Sequence, residues 1–400
     1  MRSVVRLSGK YALGCSLALG LFIPLAGAHA DQTTIYTFTG GNDGGNPPCG
    51  LISGGKGIVP AKARFYGATY EGGTSGLGTV YEVGNNGFET VLHSFAGGSD
   101  GAYPQAGLIA DATGNLYGTT EQGGTYGYGV VFKLTAGGSE TILYSFSGGT
   151  DGAYPFASLI FDSAGNLYGT TTEGGASGLG VVFKLGTDGT ESVLHSFGGS
   201  DGASPYAGVV MDKAGDLYGT TEGGGADGQG VVFKVVPGSS ESVLHSFAGG
   251  SDGSIPFAGV TMDKAGNLYG TTVAGGANDG GTVYEVSRKG KKAKAKTKIL
   301  HSFGGASDGS EAIAGVIQKS GYLFGTTYEG GTSGYGTVFK LPAKGGSDEV
   351  LYSFTGGSDG GLPYGAVLDQ AGNLFGTTFG GGDAGCSSGE GCGVVFEITP

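Results

Sequence analysis

The chain has 400 residues, of which 91 are glycine, and a formal net charge of −13. The glycines follow no three-residue period, which excludes a collagen-like triple helix. Disorder is also a poor fit, because 38% of the chain is hydrophobic and Tyr and Phe contribute 21 residues each. We expect no nucleic-acid partner, since phosphates require a basic footprint.

The first thirty residues have the composition of a secretory signal peptide. Three basic side chains within the first ten residues precede an apolar stretch over about residues 11–25, and Ala28-His29-Ala30 is a small-x-small cleavage site. A membrane anchor is the alternative, but the stretch is short for a span. We therefore expect cleavage after Ala30, no membrane span afterwards, and a single domain over residues 31–400. The protein would then be secreted, periplasmic or at the cell surface.

Three cysteines remain after this segment, and an exported compartment permits disulfides. Cys386 and Cys392 flank a short Ser-Ser-Gly-Glu-Gly loop, which a disulfide could close across the mouth of a hairpin. Cys49 is either free or competes for the same partner.

Internal repetition is the strongest signal in the sequence. One unit consists of residues 106–111, 114–120, 129–134 and 141–146, each a short run of β-branched and aromatic residues bounded by Gly, Asp and Asn. The Phe that closes the unit occurs seven times, about fifty residues apart, at Phe38, Phe95, Phe146, Phe197, Phe247, Phe303 and Phe354. Four strands per unit of this length predict an all-β fold, a seven-bladed β-propeller of four-stranded antiparallel blades.

The two ends of the chain are out of phase with the repeat. The chain begins, after the signal segment, with an outermost strand at residues 34–38, and its last unit lacks that strand. An open β-solenoid is the alternative, but pairing of the N-terminal strand with the last blade would close the ring and remove an exposed edge. We expect a closed ring and a monomer.

The repeated motifs resemble a known family. Gly-Asn-Leu-Tyr-Gly-Thr-Thr, Gly-Val-Val-Phe-Lys-Leu and Leu-His-Ser-Phe, with Gly-Gly-Ser-Asp-Gly between units, are similar to the GloVer repeat of bacterial choice-of-anchor tandem repeat proteins over nearly all of residues 34–400. The resemblance implies an exported or surface protein of unassigned biochemical function, and it supplies no catalytic residues.

Carboxylates recur in two loops that the strand assignment puts on one face. An Asp-Gly pair follows each outermost strand, at Asp43, Asp100, Asp151, Asp201, Asp252, Asp308 and Asp359. A Glu follows the Gly-Thr-Thr motif in five units, at Glu71, Glu121, Glu173, Glu222 and Glu329. A ring of oxygens would suit calcium. The competing interpretation is that Asp-Gly is simply a favoured turn pair. Apart from calcium, no cofactor is expected.

Two further sets of residues suggest structural roles. Asp111, Asp162, Asp212, Asp263 and Asp369 precede the Gly-Asn or Gly-Asp of the first hairpin and are interpreted as turn residues on the opposite face. His93, His195, His245 and His301 occupy the position that Tyr36, Tyr144 and Tyr352 fill in other units. This exchange indicates a half-buried ring with a polar tip, so neither a metal shared among these histidines nor acid–base catalysis is expected.

Three stretches depart from the repeat. Residues 288–298 hold seven of the 18 basic residues left after the signal segment and are interpreted as a solvated hairpin tip, or else a site for an acidic surface. Residues 46–65, with Lys56 and Lys62, also break the pattern. The sixth unit has Glu311-Ala-Ile313 where others have an aromatic–Pro pair. Broken symmetry makes these units the place to look for a ligand.

The sequence thus favours a non-catalytic module that binds a glycan, a protein or a cation outside the cell. An extracellular lyase or glycosidase with acids in the mouth of the ring is the alternative, and a structural surface or matrix component is a third interpretation. We find no nucleophile motif, phosphate-binding loop or Cys-His pair, and we assign no catalytic residue.

Overall fold

The computed structural model describes residues 30–53, 64–287, 295–368, 372–386 and 389–399. Nearly all of the expected signal peptide, most of the basic stretch at 288–298, Lys56, Lys62 and Asp369 lie outside these residues. The described chain forms seven four-stranded antiparallel sheets. Within them we find no helix with the length and apolar character needed to cross a membrane.

The strands follow one another from the axis to the rim in every blade but the last. β1 (Asp31–Thr37) is the first strand of the described residues and belongs to the seventh blade. The first blade holds β2 (Ile52–Ser53), β3 (Arg64–Thr69), β4 (Thr79–Gly84) and β5 (Glu89–Ser94); the second β6 (Ile109–Ala110), β7 (Leu116–Thr120), β8 (Val130–Leu134) and β9 (Glu140–Ser145); the third β10 (Ile160–Phe161), β11 (Leu167–Thr171), β12 (Val181–Leu185) and β13 (Glu191–Ser196). The fourth holds β14 (Val210–Met211), β15 (Leu217–Thr221), β16 (Val231–Val235) and β17 (Glu241–Ser246); the fifth β18 (Thr261–Met262), β19 (Leu268–Thr272), β20 (Thr282–Ser287) and β21 (Lys296–Ser302). The sixth holds β22 (Ile317–Lys319), β23 (Tyr322–Thr327), β24 (Thr337–Pro342) and β25 (Glu349–Ser353); the seventh β26 (Gly361–Leu368), β27 (Leu374–Gly380), β28 (Val394–Thr399) and then β1.

The third strand of each blade is buried on both faces. In β8 every side chain except Lys133 is buried, Val131 included, because both faces of a blade pack against neighbouring blades. Lys133 keeps its ammonium group 5.6 Å from the centroid of the Tyr117 ring, its cross-strand partner on β7. A cation over an aromatic face is stabilised without burial of the charge.

Each closing Phe packs against an aromatic ring of the next blade. Phe146 is fully buried, and its ring meets that of Phe183 in the next blade edge-on, with centroids 5.2 Å apart. The same pair recurs at all seven interfaces, with Tyr81 and Tyr284 taking the second position in the first and fifth blades. Edge-on rings at this distance are the favoured arrangement of aromatic pairs.

The ring closes as expected, through the N-terminal strand. β1 pairs antiparallel with β28 from Asp31 opposite Thr399 to Thr37 opposite Val394. At the axis, the innermost segments approach so closely that a methyl group on Gly208 would lie 2.4 Å from the carbonyl oxygen of Ser158. The seven-bladed propeller and its closure are therefore confirmed, and glycine at position 208 is a steric requirement of the axis.

A disulfide lies in the hairpin between β27 and β28. It joins Cys386 to Cys392, and the Cys386 sulfur packs against the turn that follows β1, next to Gly40 and Gly45. Cys49 is free and buried, and burial raises the pKa of its thiol to about 12. A thiol held in that state is inert as a nucleophile at neutral pH.

Candidate functional site

The Asp-Gly loop and the loop after Thr-Thr lie on one face of each blade, as the sequence predicted. A short antiparallel bridge joins the two loops, for example Ala102 to Gln122 and Ala153 to Glu173. The corresponding bridges of the first, fourth, fifth and sixth blades are Gly45–Glu71, Ala203–Gly223, Ser254–Ala274 and Ser310–Glu329.

The Asp of each Asp-Gly pair is bound within its own turn at the outer rim. Asp151 accepts hydrogen bonds from the Tyr144 hydroxyl at 3.0 Å and from the backbone N–H of Ser147 at 2.7 Å, while Gly152 adopts a φ of +102°. His93 takes the place of the tyrosine in the first blade, with Nε2 3.1 Å from Asp100 Oδ1. The same ring-to-Asp contact holds Asp43, Asp201, Asp252, Asp308 and Asp359. These contacts give the Asp residues a turn function and account for the exchange of Tyr and His.

The second Asp series also lies in turns, at the first hairpin. Asp111 accepts backbone N–H groups from Thr113 and Asn115, and the Tyr117 hydroxyl donates to its Oδ2 at 3.1 Å. Burial raises the pKa of this carboxyl, but the hydrogen bonds from Asn115 and Thr113 outweigh that effect and hold it well below the usual range. Asp162, Asp212 and Asp263 have equivalent hydrogen bonds, and these too are turn residues.

A second acid approaches five of the seven rim turns from the next blade, and sequence reasoning missed it. Glu140, the first residue of β9, lies against Asp100 and His93 of the preceding interface. Burial, then the hydrogen bond and charge of Asp100, raise the pKa of Glu140 to about 9. Glu89, Glu191 and Glu241 occupy the equivalent position, and burial together with the neighbouring Asp raises the pKa of each to about 7. The signal was an acid four residues before the His or Tyr in most units.

Aromatic side chains converge at the mouth of the axis on the face that carries the Asp-Gly loops. Phe156, Tyr206 and Phe257 each follow a proline at the entrance to an innermost strand. Tyr206 stacks on Phe257 with centroids 4.9 Å apart and meets Phe156 edge-on at 5.1 Å. The ring centroids of Phe156 and Phe257 are 6.3 Å apart although a whole blade separates the two residues. Such a short distance is possible only near the axis. We call these three residues the aromatic arc.

The five predicted Glu residues do not form a uniform ring with the Asp residues. Glu121 and Glu222 directly follow Thr-Thr and are partly buried, whereas Glu71, Glu173 and Glu329 come one residue later, and the last two are exposed. Burial raises the pKa of the Tyr206 hydroxyl to about 12, and the charges of Glu222, Glu173 and Glu121 add to the shift. The second to fourth blades therefore place carboxylates beside the aromatic arc, while the Asp residues stay at the rim.

The sixth and seventh blades give the mouth a different lining. Glu311 stands where other units have residues such as Tyr103 or Tyr154, and burial and the charge of Glu329 raise its pKa. Its Oε2 is buried and accepts no hydrogen bond from the described residues. The ring centroid of Tyr364 lies 5.6 Å from the ring centroids of both Tyr328 and Phe379. The irregular sixth unit thus contributes a half-buried acid to one side of the mouth.

An open groove of about 430 Å³ lies on the same face, between the seventh and first blades. Its lining includes Glu71, Tyr103 and Cys386, so it runs beside the disulfide loop. The groove places one aromatic and one carboxylate side chain, Tyr103 and Glu71, on the same face as the mouth.

Comparison with known proteins gives a repeat family and a fold. The family model described as the Gloeobacter/Verrucomicrobia repeat matches residues 14–165, 124–294 and 209–400. No curated protein matches the chain. A structure from Bacteroides fragilis, provisionally described as a 6-phosphogluconolactonase, is 18% identical, with coverage of 80% of this chain and 89% of that one and a TM-score of 0.50. A gluconolactonase from Xanthomonas campestris is 14% identical, with coverage of 78% and 89% and a TM-score of 0.42. At these identities the similarity is one of fold alone.

Proposed function

The chain belongs to the Gloeobacter/Verrucomicrobia repeat family, as its motifs predicted, and from that premise we propose that it is a non-catalytic binding module whose axial mouth holds a glycan outside the cell. The observation that carries the proposal is the aromatic arc, in which three blades bring Phe156, Tyr206 and Phe257 into mutual contact beside carboxylates.

The chemistry of the arc suits a sugar ring. Flat aromatic faces stack against the apolar C–H faces of pyranose rings, while carboxylate oxygens accept hydrogen bonds from hydroxyl groups. Glu121 already accepts one from the Gln105 amide at 2.9 Å, so the surroundings of the arc contain polar groups that can fix the orientation of a ligand. Binding sites of this kind combine aromatic walls with a few positioned polar groups.

The test is retention on polysaccharides. The mature chain would be incubated with cellulose, chitin, xylan and α-glucan, and both the bound fraction and the released sugars would be measured. We expect retention on at least one polymer without released products. Tyr206→Ala should abolish retention, whereas Phe88→Ala should not, because Phe88 is an exposed aromatic residue (72%) in a hairpin on the opposite face. Equal retention of the two variants would refute the mouth as the binding site.

A second candidate, an enzyme acting on extracellular polysaccharide, has one observation in its favour. Glu311 occurs in a single blade, and burial and then the charge of Glu329 raise its pKa, which is the direction that a general acid requires. Glycosidases use such a pair of unequal carboxyl groups. Released sugars that disappear in Glu311→Gln would replace the binding proposal by this one.

The proposal includes export. Cleavage after Ala30 predicts a mature N-terminus at Asp31, and the tightly packed disulfide of the seventh blade fits an oxidising compartment. Mass spectrometry of the protein from culture medium and from cell fractions would test it. An intact N-terminal segment on cytoplasmic protein would contradict export and remove extracellular glycans from consideration. Absence of any polysaccharide retention by the exported chain would favour a protein partner or a structural role.

A further inference from the structure

Three kinds of side chain meet at the outer rim wherever two blades touch. The outermost strand of one blade supplies a His or Tyr, and the Asp-Gly turn after that strand supplies an Asp. The third side chain comes from the outermost strand of the next blade, at the position paired with the end of that same blade's third strand. In the second blade this last side chain is Glu140, opposite Leu134. The equivalents in the other blades are Glu89, Glu191, Glu241, Thr297, Asp348 and Gln32.

In the first such interface the potential ligand atoms already lie at coordination spacing. His93 Nε2 is 3.1 Å from Asp100 Oδ1 and 3.7 Å from Glu140 Oε1. Bonds of 2.0–2.1 Å in a tetrahedral zinc site place ligand atoms about 3.3 Å apart. The other oxygen of Asp100 accepts the backbone N–H of Ala96, which holds the carboxylate toward the imidazole.

The interface between the third and fourth blades repeats this arrangement. His195 Nε2 lies 2.9 Å from Asp201 Oδ2, while Asp201 Oδ1 accepts the backbone N–H of Gly198. Glu241 completes the group, and the ligand atoms of each trio lie within 4.8 Å of one another. In both trios the Glu Oε1 is buried and accepts no hydrogen bond from the described residues. A bound cation would give each of these buried oxygens a partner.

Four of the remaining five interfaces lack part of this set, and the fifth, His301–Asp308–Asp348, holds it in a different arrangement. Tyr36, Tyr144 and Tyr352 replace the imidazole at three of them. At the His245 interface Thr297 replaces the acid and borders an open groove of about 480 Å³. At the His301 interface Asp308 faces Nε2 at 3.2 Å and Asp348 faces Nδ1 at 3.8 Å, so the two carboxylates approach different ring nitrogens.

We propose that the protein binds one divalent transition-metal ion, of the Zn²⁺ class, at each of two rim clusters, His93–Asp100–Glu140 and His195–Asp201–Glu241. Each ion takes one imidazole nitrogen and two carboxylate oxygens and leaves a fourth position for water. The nitrogen donor selects zinc over calcium or magnesium, which prefer all-oxygen sites. Since the Glu comes from the next blade, each ion joins two neighbouring blades at the rim.

The experiment counts metal per chain. The purified mature chain would be stripped with EDTA, dialysed against Zn²⁺ and analysed by mass spectrometry for bound metal, with Ca²⁺ in a parallel sample. We expect two Zn²⁺ per chain, no comparable Ca²⁺, and a melting temperature that rises when Zn²⁺ is restored. His93→Tyr and His195→Tyr, which recreate the ring found at other interfaces, should each remove one ion, and the double variant should remove both. Glu140→Gln and Glu241→Gln provide a second route to the same losses.

His245→Tyr is the matched control, because its interface lacks the acid, and it should keep both ions. The proposal is overturned if wild type binds no more Zn²⁺ than the double His variant, or if His245→Tyr loses as much metal as His93→Tyr. Polysaccharide retention by the double variant should equal that of wild type, so failure of the metal sites is distinguishable from failure of the glycan proposal.

Discussion

At the interblade core, every closing Phe meets an aromatic ring of the next blade at the same distance to within a few tenths of an ångström, from 5.0 Å for Phe38–Tyr81 to 5.3 Å for Phe95–Phe132. At the mouth, the position that follows the entrance proline or its equivalent holds five different residue types in the seven blades. It holds Pro48, Gln105, Phe156, Tyr206, Phe257, Ile313 and Tyr364. The same seven units therefore repeat strictly at the interblade core and vary at the mouth. Stability belongs to the first region, and ligand recognition is to be sought in the second.

The largest effect should follow from removal of one closing Phe. Phe197 is fully buried and meets Phe233 at 5.1 Å, so Phe197→Ala loses both the burial and the ring contact and leaves a cavity. We expect a loss of about 3–5 kcal/mol in the free energy of unfolding, measured by denaturant titration. A loss below about 1 kcal/mol would show that the interblade core is not what holds the ring.

A smaller effect should follow from crowding of the axis. Gly208→Ala places a methyl group 2.4 Å from the Ser158 carbonyl oxygen, and backbone atoms must move to admit it. We expect a cost of about 1–3 kcal/mol. Gly137→Ala is the matched control, because its methyl group would meet only the Thr135 hydroxyl, at 3.9 Å, and should change stability by less than about 0.5 kcal/mol. Equal stability of the two variants would contradict a close-packed axis.

Stability should also depend on pH through the rim acids beside tyrosine. Burial and the charge of Asp151 raise the pKa of Glu191 from 4.5 to about 7, so the folded state holds this proton more tightly than the unfolded chain. The contribution is fully present below about pH 4.5 and is lost as the pH rises through 7. Glu191→Gln should therefore melt higher than wild type at pH 8, by an equivalent of about 1 kcal/mol after allowance for solvent screening, and the difference should vanish at pH 4.5. A difference that does not change with pH would exclude this titration.

The smallest effect concerns two tyrosines in the interblade core. The buried hydroxyl of Tyr284 finds no hydrogen-bond partner among the described residues, whereas the Tyr218 hydroxyl donates to Asp212 at 2.9 Å. Tyr284→Phe should raise the free energy of unfolding by about 1 kcal/mol, and Tyr218→Phe should lower it by a similar amount. A loss of stability in both variants would indicate that Tyr284 does have a partner.

The sequence was sufficient for the architecture because each unit repeats its strand pattern, and the phase of the two ends predicted how β1 completes the last blade. The exchange of His and Tyr likewise predicted a half-buried ring with a polar tip. The rim trios could not be predicted in this way. Glu140 lies four residues before Tyr144 in its own unit, yet it contacts His93 of the preceding one, a contact that depends on how blades stack. The one-residue offset between Glu121 and Glu173 is visible in the sequence, but its effect is structural, because such a shift moves the side chain to a differently exposed position.

The most direct test of the contrast between core and mouth replaces two residues of the aromatic arc by the residues that other units have at the same position. Tyr206→Gln and Phe257→Ile, combined, copy Gln105 and Ile313, which the same fold already accommodates at these positions. Affinity for the polysaccharide retained by wild type would be measured by calorimetry with soluble oligosaccharides, next to the melting temperature. The account predicts at least about tenfold weaker binding, equivalent to about 1.4 kcal/mol, at a nearly unchanged melting temperature. Unchanged affinity, or a collapse of stability comparable to that of Phe197→Ala, would contradict it.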